Sequence, residues 1–296
     1  MTHPAPATLK MRVTEARSLN PLIRMLRLAA EDGSALPGYT AGAHIRVQVL
    51  LPDGKQDWRH YSLINPVADA QATAAPTEYL IAVRREDEGR GGSRFMHQGL
   101  QAGSSLLIEV PKNDFPIHSA NTRTVLLAGG IGVTPLISMA ASRKAQGLPV
   151  QMHYAGRSRD LMAFLPELGD LLGDELRVHT DAEAGAPLDI AAVLDACTGQ
   201  DQLYVCGPKV MLDAVLAATQ SRGWARERVH FELFTEPVVE EGDHPFDVVL
   251  AQSGKTFTVP ADQTILDCLI EHGCDPMFDC KRGECGVCAT PVMEGE

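Results

Sequence analysis

The sequence predicts a multidomain protein in three parts: an antiparallel β-barrel, a doubly wound α/β domain and a small α+β module at the C-terminal end. Three observations predict it. The 296 residues exceed what one hydrophobic core usually serves, at roughly 150 residues per domain. The spacing of apolar runs changes by Arg123, from short β-rich runs broken by Pro and Gly to strands alternating with helical periods. Acidity and cysteine are both skewed to the end of the chain. From Pro237 to Glu296 twelve acidic residues stand against Lys255, Lys281 and Arg282, so this stretch carries -9 of the total -12. Five of the seven cysteines fall there too, leaving Cys197 and Cys206 elsewhere. The domains are accordingly placed at 1–116, 117–236 and 237–296.

The barrel strands are expected at Leu9–Val13, His44–Leu51, Tyr79–Arg84 and Ser105–Val110, separated by turn residues as in an antiparallel barrel. Strand-then-helix pairs follow: Thr124–Ala128 with Pro135–Gln146, Val150–Tyr154 with Leu161–Leu172, Leu176–His179 with Leu188–Ala196, and Leu203–Val205 with Pro208–Ser221, before a last strand at Val229–Glu232. That alternation builds a parallel sheet covered by helices. Pro237–His244 carries no apolar period and reads as a linker. Phe246–Ala251 and Thr256–Val259 then flank Gln252-Ser-Gly-Lys255 as a hairpin, and a short helix runs from Ile265 to Glu271.

Bulk properties exclude several classes. The net negative charge argues against nucleic acid, which needs clustered Lys and Arg. No apolar run approaches the roughly 20 residues of a membrane span. The N-terminal segment lacks the apolar stretch of a secretory signal, which places the protein in the cytoplasm, where disulfides do not persist.

Four motifs carry chemistry. Cys280-Lys-Arg-Gly-Glu-Cys285-Gly-Val-Cys288 has the C-x4-C-x2-C spacing of plant-type 2Fe-2S ferredoxins, whose iron takes thiolate ligands. A zinc knuckle or unrelated thiols are the alternatives, and the acidic surroundings favour the cluster. A fourth thiolate is needed, yet none of the eight residues after Cys288 is a cysteine. Because Pro291-Val-Met-Glu-Gly-Glu296 reads as a strand entering a turn, truncation is the favoured explanation over an absent or oddly ligated cluster. Cys274 is better read as a small buried hydrophobe than as a substitute ligand.

Ala128-Gly-Gly-Ile-Gly-Val-Thr-Pro135 lies between the first parallel strand and its helix. There glycines allow close backbone approach and a helix N-terminus meets a pyrophosphate, although the same turn also suits plain strand-to-helix packing. Tyr204-Val-Cys206-Gly207-Pro208 ends a later strand, so Cys206 and Gly207 are candidates for the same cleft; taken alone, a buried Cys and an N1 proline explain it better. In the barrel, Arg59-His-Tyr-Ser62 and Gly89-Arg-Gly-Gly-Ser93 supply a forked donor, a flat ring, a hydroxyl and a glycine turn, each of which singly is an ordinary surface feature.

In this order the motifs resemble the phthalate dioxygenase reductase family, within the wider ferredoxin-NADP reductase superfamily, over essentially the whole chain. The resemblance implies that Arg59, Tyr61, Ser62 and Leu63 hold a flavin and that Gly91, Gly92 and Ser93 bind its single phosphate, hence FMN rather than FAD; no adenine platform is evident. It implies nicotinamide nucleotide binding by Gly130, Gly132, Val133, Thr134, Cys206, Gly207 and Pro208, with NADH preferred. Arg157 and Arg159 are positioned to receive a 2'-phosphate, and Asp181, after the next strand, to oppose it. The catalytic set is Ser62 beside the flavin, Cys206 beside the nicotinamide, and Phe234, in Phe231-Glu-Leu-Phe234, covering the flavin ring. The last module becomes a β-grasp ferredoxin domain with Cys280, Cys285 and Cys288 as metal ligands. The activity implied is hydride transfer from NADH to FMN and single-electron release through the 2Fe-2S cluster to a Rieske-type terminal oxygenase or demethylase, met through the acidic module. Two rivals stand beside it: a cluster-independent NADH flavin reductase, and a non-enzymatic redox sensor built on the three clustered cysteines.

Overall fold

The computed structural model describes residues 7–118, 121–234, 243–261, 263–274, 276–277 and 288–295. The chain divides into two compact units, Met1–Glu232 and Leu233–Glu296.

In the first unit, β1 (Thr8–Ser18), β2 (Ile23–Ala30), β3 (His44–Leu50), β4 (Gln56–Ser62), β5 (Tyr79–Arg84) and β6 (Ser105–Glu109) form one antiparallel sheet in the order β4-β3-β6-β1-β2-β5. Alternation drives it: Ile45, Val47 and Val49 on β3 and Met11 and Val13 on β1 point into one core while their neighbours face out. A register shift between Val13 and Glu15 bends β1. Just past β4, the Ile64 N–H donates to the Leu80 carbonyl on β5 at 2.8 Å, so the two edges approach and the barrel is nearly closed. Strand β2 buries both faces. Leu26 and Leu28 enter the barrel core, whereas Ile23 and Met25 enter a second cluster shared with the following domain. Two single turns, α1 (Gln71–Ala74) and α2 (Gly92–Arg94), punctuate the loops, and α2 runs on into a π-helical turn at Phe95–Gly99.

The second sheet is parallel. Its strands are β7 (Thr124–Gly129), β8 (Val150–Gly156), β9 (Leu176–Thr180), β10 (Gln202–Cys206) and β11 (Val229–Glu232), in the order β11-β10-β7-β8-β9. Helices α3 (Val133–Ala145), α4 (Leu165–Leu172), α5 (Asp181–Ala184), α6 (Ile190–Asp195) and α7 (Lys209–Ser221) follow the strands. Chain direction across the sheet reverses at β7, so the crevice for a ligand lies at the C-terminal ends of β7 and β10. One expected helix starts late: Arg159–Leu161 is a separate 3-10 turn, and α4 begins only after Phe164, which takes a left-handed φ of 62°. The Tyr154 hydroxyl, accepting from the Ala163 N–H at 3.1 Å, holds that irregular entry against the sheet.

Barrel and parallel sheet share a core in which Ile23, Met25, Ile64 and Leu80 pack with Leu136, Ile137 and Met139 of α3. At this seam the buried Ser138 hydroxyl donates to the Leu63 carbonyl at 2.7 Å and accepts from the Asn65 N–H at 2.8 Å. Gly42 completes the contact with a φ of 92°, and a Cβ there would lie 1.9 Å from the Phe115 carbonyl oxygen.

In the second unit, β12 (Phe246–Val249) pairs antiparallel with β13 (Thr256–Val259), and α8 (Ile265–Glu271) is capped by Thr264, whose hydroxyl accepts from the Asp267 N–H at 3.1 Å. Phe257, Val259 and Cys268 form its core, with Cys274 packed against it. Residues 237–242 of the expected linker lie outside the described residues. Among the described residues no helix is long and apolar enough to cross a membrane.

The seam yields a direct test. Ser138→Ala strands a buried carbonyl and a buried N–H, so urea unfolding of the full chain should show a stability loss of about 1–3 kcal/mol. A loss near zero would mean that water replaces the hydroxyl.

Candidate functional site

The Arg59–Ser62 motif is the last four residues of β4, paired in register with His44–Val47 of β3. Alternation sets Arg59 and Tyr61 on one face. Arg59 Nη1 donates to Asp57 Oδ2 at 2.5 Å and to the Trp58 carbonyl at 2.9 Å, which fixes the guanidinium. Burial pushes the Tyr61 phenol well above its ordinary pKa, so this residue offers a neutral ring. Leu63 is fully buried, and Ser62, only 5% exposed, holds its Oγ without a hydrogen-bond partner among the described residues. An orphaned buried hydroxyl costs about 1–3 kcal/mol unless a ligand atom satisfies it.

The glycine turn after β5 meets the same arginine. Gly91 has a φ of 99°, and a Cβ on Gly92 would lie 2.9 Å from Arg59 Nε, so only glycines let the turn close over that side chain. The Ser93 hydroxyl accepts from the Glu86 N–H at 2.9 Å and donates to the Glu86 carbonyl at 3.3 Å, clamping the loop. First-turn N–H groups beyond Gly91 have no acceptor within their own helix. A fixed guanidinium and an unsatisfied hydroxyl at the end of β4, with the glycine turn closed over that guanidinium, fit a flavin phosphate and ring edge. Sequence patterns missed two supports of this turn: Arg24 Nη1 donates to the Met96 carbonyl at 3.3 Å and to that of His97, and His97 Nε2 meets the Val83 carbonyl at 2.8 Å. Both act on the π-helical turn, which no local motif announces.

At the parallel sheet, Ala128 on β7 and Cys206 on β10 are in register, so their two exit turns leave side by side. A Cβ on Gly132 would sit 2.1 Å from the Cys206 carbonyl oxygen, and one on Gly129 would sit 2.7 Å from Pro208 Cδ. These glycines serve turn-to-turn packing, whereas Gly130, at a φ of 54°, has open space on its face. Val133 and Thr134 are buried, and the Thr134 hydroxyl donates to the Ile131 carbonyl at 3.0 Å. Helix α3 opens at Val133, so Pro135 is its third residue; Pro208 immediately precedes α7, and the Cys206 side chain is buried.

Arg157 is exposed after β8, and its carbonyl accepts from the Ala182 N–H at 3.0 Å. Exposed Asp181 opens α5 after the neighbouring strand β9. Arg159 is engaged by Glu183 at 2.8 and 3.3 Å. Glu232, buried at the end of β11 in register with Cys206, was not singled out because its neighbours Phe231 and Phe234 dominate the local pattern. Phe234 belongs to the second unit and is 39% exposed. Cys288 is half-buried, with its carbonyl accepting from the Thr290 hydroxyl at 3.2 Å, whereas Cys280 and Cys285 lie outside the described residues.

Residues 248–296 match the 2Fe-2S iron-sulfur cluster binding domain family. The chain is 35% identical to the vanillate O-demethylase oxidoreductase of Acinetobacter baylyi, over 96% of this chain and 86% of that protein. Among solved structures it matches phthalate dioxygenase reductase with a TM-score of 0.72 at 31% identity, covering 95% of this chain and 85% of that one. It also matches full-length CYP116B46 from Tepidiphilus thermophilus with a TM-score of 0.77 at 34% identity; 98% of this chain is covered, but it spans only 37% of that longer protein.

The two exit turns separate two kinds of glycine. Gly132→Ala should drive the turns apart, lowering stability by about 1–3 kcal/mol and raising KM for the nicotinamide nucleotide. Gly130→Ala should cost only about 1–2 kcal/mol for its left-handed backbone and spare the packing. Thermal melts and steady-state kinetics on both variants decide it, and equal behaviour of the two would refute the assignment.

Proposed function

The chain belongs to the phthalate dioxygenase reductase family, and on that premise we propose that it draws electrons from NADH and passes them through FMN and a 2Fe-2S cluster to a Rieske-type oxygenase or demethylase component. It is an oxidoreductase of flavin and iron-sulfur electron transfer, and its partner is an oxygenase component. In this reading residues 1–116 are the FMN domain, 117–236 the NAD domain and 237–296 the ferredoxin domain. The observation that carries it is the buried, unsatisfied Ser62 hydroxyl at the end of the strand that also holds Arg59 against Gly92.

The bound cofactors supply the conversion of a two-electron donor into single electrons. This chain's residues bind, align and exclude water. Arg59 neutralises the flavin phosphate, with the amides of Gly91, Gly92 and Ser93 as further donors. Ser62 directs its O–H or lone pair to the ring edge, and Tyr61 and Leu63 provide apolar walls. Gly130, Gly132, Val133 and Thr134 receive the nucleotide across from Gly207 and Pro208, and Cys206 fills the floor beneath the nicotinamide. Cys280, Cys285 and Cys288 hold iron, and the acidic module, at -9, meets a complementary face on the oxygenase. The cytoplasm supplies the reducing compartment and the NADH.

Two measurements test this reading. Acid-released flavin should chromatograph as FMN, and Arg59→Ala should weaken its binding by about 1.5–3 kcal/mol, the value of a charged hydrogen bond; release of FAD, or full occupancy in the variant, would remove the motif from the site. Anaerobic NADH should bleach the flavin, with kcat/KM for NADH above that for NADPH, because a 2'-phosphate would have to displace Glu183 from Arg159 and approach Asp181. A preference for NADPH would instead make Arg157 and Arg159 phosphate ligands.

A further inference from the structure

The paired glycines after β5 face two different arginines. A Cβ on Gly92 would meet Arg59, whereas one on Gly91 would meet Pro52 Cδ at 2.5 Å and Arg94 Nη2 at 3.5 Å. Asp57 pairs with Arg59 at 2.5 Å and stands 4.0 Å from Arg90. Arg94 differs: its Nε is buried without a hydrogen-bond partner, and among the described residues no carboxylate pairs with the side chain. It also lines a cavity of about 400 Å³ with Leu50, Leu51, Pro52, Phe95 and Gln98, and no carboxylate is among the described residues that line it. An unpaired, partly buried guanidinium folded back onto a phosphate turn is the arrangement expected when the missing partner is an anion.

We propose that Arg94 is a specificity-determining residue of the flavin site. It meets the terminal phosphate from the Gly91 side of the turn while Arg59 meets it from the Gly92 side, and so it makes the site select FMN over riboflavin. The proposal rests on the assignment of Gly91–Ser93 as the phosphate turn. A phosphate monoester carries three peripheral oxygens, enough for two planar forks and the turn amides together. Neutral riboflavin offers neither arginine an anion.

The test is a flavin titration of the full chain freed of flavin, followed by flavin fluorescence, with FMN, riboflavin and FAD as ligands. Arg94→Gln should weaken FMN about tenfold, the lower end for a charged hydrogen bond, and leave riboflavin unchanged, so that the FMN-to-riboflavin ratio falls by the same factor. Arg94→Lys, which keeps the charge without the fork, should fall between. Equal losses for FMN and riboflavin would make Arg94 merely structural, and no loss for either would remove it from the site; both overturn the proposal. Selective loss of FAD with FMN intact would place a second phosphate in the cavity and also overturn it. If Arg94→Gln does not fold, Arg94→Lys decides, and an unchanged ratio there is refutation. Arg59→Gln keeps the two assignments separable: an unchanged ratio in that variant sinks the phosphate turn itself, whereas a fall there with none in Arg94→Gln sinks Arg94 alone.

Discussion

Both ligand sites proposed for the first unit depend on the Ser138 hydroxyl. It bonds the backbone immediately after the Arg59–Ser62 motif, through the Leu63 carbonyl and the Asn65 N–H, and it stands on the helix whose first turn carries the Gly130–Thr134 loop. From Val133 to Ser138 is five residues, about 7.5 Å of helix. Any rotation of α3 against the barrel would break two buried hydrogen bonds and the packing of Ile137 and Met139 with Ile23 and Met25. Two rings that exchange electrons must be held in one geometry, because small misplacements cost large factors in rate. A shared core with a polar pin provides that rigidity where a flexible hinge would not.

That constraint accounts for what was legible in the sequence and what was not. Strands with one buried face, such as β3 and β5, announce themselves by alternation. Strand β2 does not, because Ile23 and Met25 face the seam while Leu26 and Leu28 face the barrel, which erases the period. Strand β4 is concealed for another reason: Gln56-Asp-Trp-Arg-His-Tyr-Ser62 holds no aliphatic side chain, and burial along it is intermediate rather than alternating. The glycine loop was open to either a packing or a nucleotide role, and neighbouring positions divide them. Gly129 and Gly132 are small because the Cys206–Pro208 turn lies against them, and Gly130 is small where space is open.

Arg94 is the residue that sequence could least reveal. Nothing in Gly91-Gly92-Ser93-Arg94 distinguishes a phosphate ligand from a solvated surface arginine. The distinction is tertiary: Pro52 covers Gly91, Phe95 and Leu50 wall the cavity, and among the described residues no carboxylate pairs with the side chain.

Arg59 and Arg94 then divide the work of anion binding by opposite means. Arg59 is held before any ligand arrives by Asp57 and the Trp58 carbonyl, so little side-chain entropy remains to be lost on binding. The same carboxylate stays beside the guanidinium and offsets part of its charge, which weakens the attraction it exerts. Among the described residues Arg94 has no such offset, so its full charge is available, but its side chain is fixed only by packing. Preorganisation without full charge on one side of the turn, and full charge without preorganisation on the other, complement each other around a single phosphate. Arg159 at the nucleotide end is the contrasting case: Glu183 already occupies its fork in an exposed pair worth little to stability, yet sufficient to leave an incoming 2'-phosphate competing for a donor that has a partner.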